Sequence, residues 1–296
     1  MQYKLKKIRS DASFREFFRL KKGNKTSIIV TAKKERYRNL IAYSAINKFL
    51  RRKGIHTPKT ISQHFSEGIM EIEDFGDNTL FHSIRKSKNI FPYYKKSVNV
   101  ILKLQKIKPI NKIKIKSNRN LKFDNYNLKN LHKDSDLFLN WYLPGVLGKK
   151  KSSKYKKIIK KELNKLYKKI FFKNQFIVHR DFHVSNIMPA NKKLGVIDTQ
   201  DAILGNPMYD LASLVDEVRV KVPSQIKRKA FQYYLKNCSK DSSLFFIVSE
   251  LYSSSPSLRN TKMNSCTFAV YLLLAHLPAC KAANIVSFFI TIISCN

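Results

Sequence analysis

Between His179 and Ala202 the chain reads HRDFHVSNIMPANKKLGVIDTQDA, a run that gathers three acids, two histidines and two asparagines in a protein with 58 Lys and Arg against 20 Asp and Glu. Asp181 and Asn186 lie five apart on a stretch that reads as a loop. Asp198 follows the apolar triplet Gly195-Val196-Ile197, a short buried-strand pattern bounded by lysine-rich turn residues. A carboxamide on the loop, faced by a carboxylate at the end of a neighbouring strand, offers oxygen atoms to a hard cation. That leaves Asp181 to orient a hydroxyl group. Positioned magnesium, a group that accepts the hydroxyl proton and exclusion of water are what phosphoryl transfer asks of a protein. Acids that cap local turns would account for any one of these residues, but not for the set.

Residues 1–80 read as the strand-rich part of the scaffold that must hold this loop. Ser27-Ile28-Ile29-Val30-Thr31 is a β-branched run, and Leu40, Ile41, Ala45, Ile46 and Phe49 have the apolar spacing of a helix over Leu40–Leu50. Gly68 to Gly76 looks like a strand leading into a linker. Beyond it the patterns turn helical, over Phe91–Ile107, Asp136–Leu143 and Tyr155–Ile170. The last places Tyr155, Ile158, Ile159, Leu163, Leu166, Tyr167 and Ile170 on one face. The expectation is an α+β chain with a small β-rich lobe over 1–76, a hinge near 73–77, and a larger, mainly helical lobe over 77–262.

The net charge of +38 admits two readings. One is binding to nucleic acid or an anionic membrane. The other is lysine drift over solvated surfaces, which fits better because lysines recur along nearly the whole chain up to Lys262. The eleven lysines within 149–169 then form the solvated back of a core helix, not a membrane-binding face. Cys238, Cys266, Cys280 and Cys295 include no C-x-x-C pair, so neither a zinc site nor a disulfide framework is expected. The start lacks the long apolar stretch of a secretory signal, and a cytoplasmic location is expected.

No G-x-x-x-x-G-K-[ST] or G-x-G-x-x-G occurs. The candidate phosphate-covering turn is Ser10-Asp11-Ala12-Ser13-Phe14-Arg15, whose small residues would let backbone N–H groups approach phosphate oxygens. H-x-D-x-x-x-x-N followed by a strand ending in I-D is the arrangement found in kinase-like folds. With SDASFREFFRL (10–20), EDFGD (73–77), DLFLNWYLPGVLG (136–148), HRDFHVSNIM (179–188), GVIDTQDAILGNPMYDLASLV (195–215) and RVKVP (219–223), the chain resembles the aminoglycoside phosphotransferase and choline kinase superfamily. Within it the resemblance is to the bacterial N-acetylmuramate/N-acetylglucosamine kinase group. DASFR, F-x-x-W-Y and D-x-Q-D-A are the more specific motifs.

The resemblance implies a bilobal protein-kinase-like fold and an ATP- and Mg2+-dependent kinase of the amino sugar's anomeric hydroxyl, acting in cell-wall recycling. Asp181 would orient that hydroxyl, while Asn186 and Asp198 would bind magnesium. Asp11, Ala12, Ser13 and Arg15 would cover the nucleotide phosphates, and Glu73 to Gly76, with Phe75, would offer backbone groups to adenine. Arg180, His183, Gln200, Asp201, Trp141 and Tyr142 would line the sugar pocket, with burial in the core the alternative for Trp141. Asp210, in YDLAS, would brace the catalytic loop. A monomer is expected, with a small-molecule sugar as its partner, no specific nucleic acid and no membrane span.

The chain also departs from the pattern. Many kinases pair a third-strand lysine with a helix glutamate. Here Lys33 and Lys34 follow the strand, but Leu40–Leu50 contains no glutamate. Ser10 stands where glycine is usual, and Glu217 where aspartate is usual. After Lys262 the charge vanishes except for Lys281, and the resemblance stops, so 263–296 reads as an atypical apolar tail, either of frame-shifted origin or a native tail that buries its apolar residues in the helical lobe. The competing functions are phosphorylation of an aminoglycoside or a small amino alcohol, and a basic binding protein that has lost catalysis.

Overall fold

The computed structural model describes residues 3–8, 15–33, 37–110, 112–115, 120–167, 176–191, 193–216 and 219–238. The turn at Asp11, Ala12 and Ser13, together with Lys34, Glu217 and the whole tail 263–296, lies outside the described residues.

β-branched and aromatic alternation builds an antiparallel sheet first. β1 (Tyr3–Ile8), β2 (Arg15–Lys22), β3 (Lys25–Ala32), β4 (Thr60–His64) and β5 (Ile69–Glu73) join in the order β1-β2-β3-β5-β4. Ile28, Val30, Met70 and Ile72 point from one face of this sheet into a core closed by α1 (Tyr37–Arg52). Leu40 and Tyr43 of α1 join that core, whereas Ile46, Phe49 and Leu50, a turn or two later, are buried in the helical core. One apolar stripe at helical spacing thus fastens α1 to both halves of the molecule.

Gly68 must be glycine. Its φ is +70°, and an added Cβ would lie 2.2 Å from the Ala32 carbonyl oxygen, at the point where the Ala32 amide donates to the Gly68 carbonyl at 2.8 Å. Gly68→Ala is expected to cost at least about 2 kcal/mol, from left-handed strain plus a backbone clash. A denaturant midpoint indistinguishable from that of the parent would show that β3 and β5 adjust freely.

The elements after β5 are mainly helical: α2 (Leu80–Arg85), α3 (Phe91–Gln105), α4 (Leu128–Leu137), α5 (Leu143–Tyr167), α6 (Met208–Val215) and α7 (Ser224–Asn237). The short strands β6 (Ile113–Lys114) and β7 (Asn120–Leu121), β8 (Phe176–Val178) and β11 (Ile203–Gly205), and β9 (Ile187–Ala190) and β10 (Lys193–Val196) pair as ribbons. The helix expected over 136–143 differs in form. α4 starts earlier, at a capping box of Asn127 and Asn130, and passes through a π-helical turn, Phe138–Tyr142, into α5. The helix expected from Tyr155 starts at Leu143 and breaks at Gly148, whose φ of 75° and ψ of 159° are not helical. Ile159, Leu163 and Tyr167 are buried as the spacing predicts, but Ile158 is exposed. No helix among the described residues is long and apolar enough to cross a membrane.

Candidate active site

The loop between β8 and β9 is held by a carboxylate from α6. Every residue from Tyr209 to Val215 is buried, and in that apolar setting Asp210 accepts the His179 amide at 2.8 Å and the Arg180 amide at 3.1 Å. Arg180 has a φ of +73°, costly for a non-glycine residue, and the bond to its amide helps to hold it there. The His179 ring accepts from the Asp181 amide at Nδ1 (3.3 Å) and donates from Nε2 to the Ile197 carbonyl (2.9 Å), so the tautomer with the proton on Nε2 satisfies both. Asn186 Nδ2 donates to the Asp181 carbonyl at 3.0 Å and meets His183 Nε2 at 3.1 Å. Its amide nitrogen is committed to the loop, and its carbonyl oxygen is the atom left to offer a cation.

Strand β10 delivers Asp198 to the same place. The Ile197 amide donates to the Asn186 carbonyl at 3.0 Å, which ties the strand end to the loop. Asp198 is left-handed, with φ 64° and ψ 41°, and opens the 3-10 turn Thr199–Asp201. Arg15, only 5% exposed, reaches this turn from the start of β2. Its Nη2 lies 2.5 Å from Asp198 Oδ1, and its Nη1 donates to Gln200 Oε1 at 3.0 Å. Gln200 Nε2 donates in turn to Asp201 Oδ2 at 2.8 Å. From α1, Asn47 Oδ1 accepts from Thr199 Oγ1 at 2.7 Å. Burial, reinforced by the charge of Asp198, pushes the Tyr43 phenol up to about 12, so it stays protonated.

At the linker, Arg19 of β2 grips Asp74 through Nε (2.6 Å) and Nη2 (3.0 Å), and Asp77 through Nη1 (2.8 Å). Phe75 is buried with Met188 and Ala190, and its ring fills the space above Gly195, where a Cβ would come within 2.4 Å of it. The Glu73 carboxylate turns to Arg51 Nη1 and the Lys59 amide, each at 3.1 Å, and the Glu73 amide donates to the Lys59 carbonyl. The Gly76 amide donates to Asp74 Oδ1.

Two buried carboxylates carry opposite pH dependences. Burial pushes Asp210 up to about 6, against the pull of His179 and the two amides. Its contribution to stability is therefore complete below about 4 and is lost as pH rises through about 6. Burial also acts to raise Asp74, but the Arg19 guanidinium and the Gly76 amide outweigh it and hold the carboxyl below its ordinary value. The Asp74 contribution is present above about 4 and is lost on further acidification. Comparing unfolding free energies at pH 5 and 7.5, Asp210→Asn should remove a component of about 1.4 kcal/mol that favours the lower pH. An unchanged pH difference would mean that Asp210 titrates elsewhere.

Residues 4–240 match the family described as "Phosphotransferase enzyme family". The chain belongs to that family. Among curated members, the N-acetylmuramate/N-acetylglucosamine kinase of Pseudomonas aeruginosa is 24% identical over 232 residues, which is 78% of this chain and 64% of that one. The enzyme of the same name from Pseudomonas putida is 26% identical over 214 residues, 72% of this chain and 60% of that one. The chain thus spans under two thirds of the length of these family members. Among solved structures, the ADP-bound aminoglycoside phosphotransferase APH(2'')-Ib superposes with a TM-score of 0.57 at 17% identity, covering 95% of this chain and 94% of that one. The choline kinase LicA from Streptococcus pneumoniae gives 0.56 at 15% identity, covering 98% and 92%. At such identities the likeness shows the fold, which is bilobal and protein-kinase-like.

Within this family fold, Asp181, Asn186, Asp198, Arg180 and His183 come together on the loop and strand end, and Asp210 stands beneath them. Gln200 is buried, with both ends of its amide engaged by Arg15 and Asp201. Trp141 and Tyr142 sit on the π-helical turn. Tyr142 stacks on Phe138, with centroids 5.6 Å apart, and Trp141 is 78% exposed, so the core alternative for it does not hold. Sequence reasoning missed Tyr43 and Asn47. The visible signal was Asn47, a polar residue on the apolar stripe of α1.

Proposed function

We propose that the chain is an ATP- and magnesium-dependent kinase that phosphorylates the anomeric hydroxyl of an N-acetylated amino sugar, N-acetylmuramate or N-acetylglucosamine, for cell-wall recycling in the cytoplasm. The observation that carries the proposal is the convergence of Asp181, Asn186 and Asp198 on a loop braced from below by Asp210. Hinge residues 73–77 would separate a nucleotide lobe (1–76) from a catalytic lobe (77–262).

The donor set fits a magnesium ion bound together with phosphates. Among the described residues no cluster of three or more His, Cys, Asp and Glu gathers, so a cation would draw on Asp198, the Asn186 carbonyl oxygen, phosphate oxygens and water. Bound there, the ion would offset the phosphate charge. Asp181 would accept the proton of the sugar hydroxyl as its oxygen bonds to the γ-phosphorus, while the bond to the β–γ bridging oxygen breaks and ADP departs. Phe75 would face adenine from the linker. The Glu73 side chain is turned to Arg51, so the linker's contribution would come from the main chain around Phe75. Arg180, His183 and Asp201 would approach the sugar, and the exposed ring of Trp141 would offer it a stacking face.

An aminoglycoside or amino-alcohol kinase is the competing reading, favoured by the names of the structural neighbours. Cationic acceptors call for acid-lined pockets. Between Asp77 and Asp181 the only acids are Asp124, Asp134, Asp136 and Glu162, against a dense run of lysines, and a neutral or anionic sugar suits that surface better. Incubation with labelled ATP, magnesium and a panel of N-acetylated sugars, aminoglycosides and choline decides between them. Label on the sugars alone supports the proposal. Label on an aminoglycoside or choline replaces it, and label on none ends every kinase reading.

A further inference from the structure

Helix α1 offers no carboxylate. Its sequence, YRNLIAYSAINKFLRR, contains no acid, and Lys33 at the end of β3 is exposed. The lysine–glutamate pair that orients phosphates in many kinases therefore has no helix partner here. Another cation occupies the interior. The Arg15 guanidinium is buried between the rings of Phe17 and Tyr43, with its centre 5.6 Å and 5.8 Å from their centroids, and it is aimed at Asp198 and Gln200. Burying a guanidinium is costly unless its hydrogen bonds are met, and here the carboxylate and the carboxamide meet them. Asn47 and Tyr43, one turn apart on α1, hold the same corner from the helix side.

Asp198 Oδ1 is thereby claimed twice, by Arg15 and by the cation of the proposed reaction. We propose that Arg15 and the divalent metal compete for Asp198. Without nucleotide, Arg15 occupies Oδ1 and offsets the charge of the carboxylate, which makes Asp198 a weaker metal ligand. When metal arrives bound to nucleotide, Arg15 leaves Oδ1 and its fork takes the phosphate oxygens, a geometry to which guanidinium is well matched. Gln200 keeps hold of the other guanidinium nitrogen during the exchange. The metal consequently enters with the nucleotide and not before it. This rests on the phosphotransferase reading above, and it makes Arg15 the phosphate-contacting cation in place of a strand lysine.

Mn2+ binding to the full chain, followed by electron paramagnetic resonance with and without ADP, tests it. Removing the competitor should leave Arg15→Ala binding Mn2+ alone about tenfold more tightly than the parent, while binding Mn2+ with ADP about tenfold more weakly. Arg15→Gln, which keeps most of the bulk, should move both constants the same way and covers the event that the alanine variant fails to fold. Asp198→Ala should lose Mn2+ in both conditions. Weakened Mn2+ binding in both conditions, by a folded Arg15 variant, would overturn the competition and leave Arg15 as a brace for the turn. A parent chain that binds no Mn2+ even with ADP would instead bring down the phosphotransferase reading, because Arg15 is then blocking nothing.

Discussion

Asp198→Ala is expected to lower magnesium-dependent turnover by about 10³-fold or more, since on the proposed assignment a cation held by this strand-end carboxylate would supply several kcal/mol of charge stabilisation at the phosphates. Asp201, three residues on, and Asp181 on the loop are the acids that could stand in for it. Asp201 already accepts from Gln200, and Asp181 belongs to the loop. The substitution also strips Arg15 of its carboxylate. Removing one partner of a buried guanidinium is destabilising, so the alanine variant is expected to melt earlier as well. Asp198→Asn separates the two effects, because it keeps an oxygen for Arg15 while losing the charge. Loss of turnover in the asparagine variant, with the melting temperature nearly kept, is the expected pair of results. Turnover within a few-fold of the parent would show that the metal lies elsewhere.

What the sequence made visible follows from how local each feature is. Asp181, Asn186 and Asp198 sit within eighteen residues, on a loop and an adjoining strand whose apolar triplet is plain, so spacing alone brings them together. The partner of Asp198 was not visible in the same way. Arg15 is 183 residues away, and only the sheet's packing against α1 and the turn at Thr199 brings it there. The resemblance placed Arg15 with the nucleotide phosphates but gave no sign that it rests on Asp198. α6 escaped periodic reading because it is buried on all sides, which leaves no polar face to set a period. The same burial makes Asp210 effective, since a carboxylate among apolar neighbours must take the amides it can reach.

The charge balance now reads differently from its total. The exposed side chains of α5 include Lys149, Lys150, Lys151, Lys154, Lys157, Lys160 and Lys161, while Ile159, Leu163 and Tyr167 are buried beneath. The lysines share the exposed side of a helix whose other side is core. The scarce acids do positional work instead. Asp74 and Asp77 tie β2 to the linker, Glu73 ties Arg51 of α1, Asp216 pairs with Lys227 of α7 at 2.8 Å, and Asp210 holds the loop. A binding protein without catalysis would have no use for a left-handed Asp198 closed by a buried arginine, since strain of that kind persists where a site depends on it.

Asp181→Asn should separate chemistry from nucleotide binding. Main-chain bonds help to hold residue 181 in the loop. The carbonyl accepts Asn186 Nδ2 and the His183 amide, both at 3.0 Å, and the amide reaches His179 Nδ1 at 3.3 Å. Exchanging carboxylate for carboxamide keeps those bonds and the side chain's size, so the loop and its neighbours Asn186 and Asp198 stay in place. What is lost is the ability to take a proton from the acceptor hydroxyl. General-base assistance of this kind contributes roughly 10²–10⁴-fold, and kcat is expected to fall by that range. The KM for ATP should stay within about threefold, because in the proposed role the group removed would face the acceptor and not the nucleotide. Steady-state kinetics at saturating sugar, with ATP varied, reads both numbers from one data set. A variant with near-normal kcat and weakened ATP binding would reverse the assignment, moving Asp181 to the metal and leaving the acceptor hydroxyl to another group on the loop.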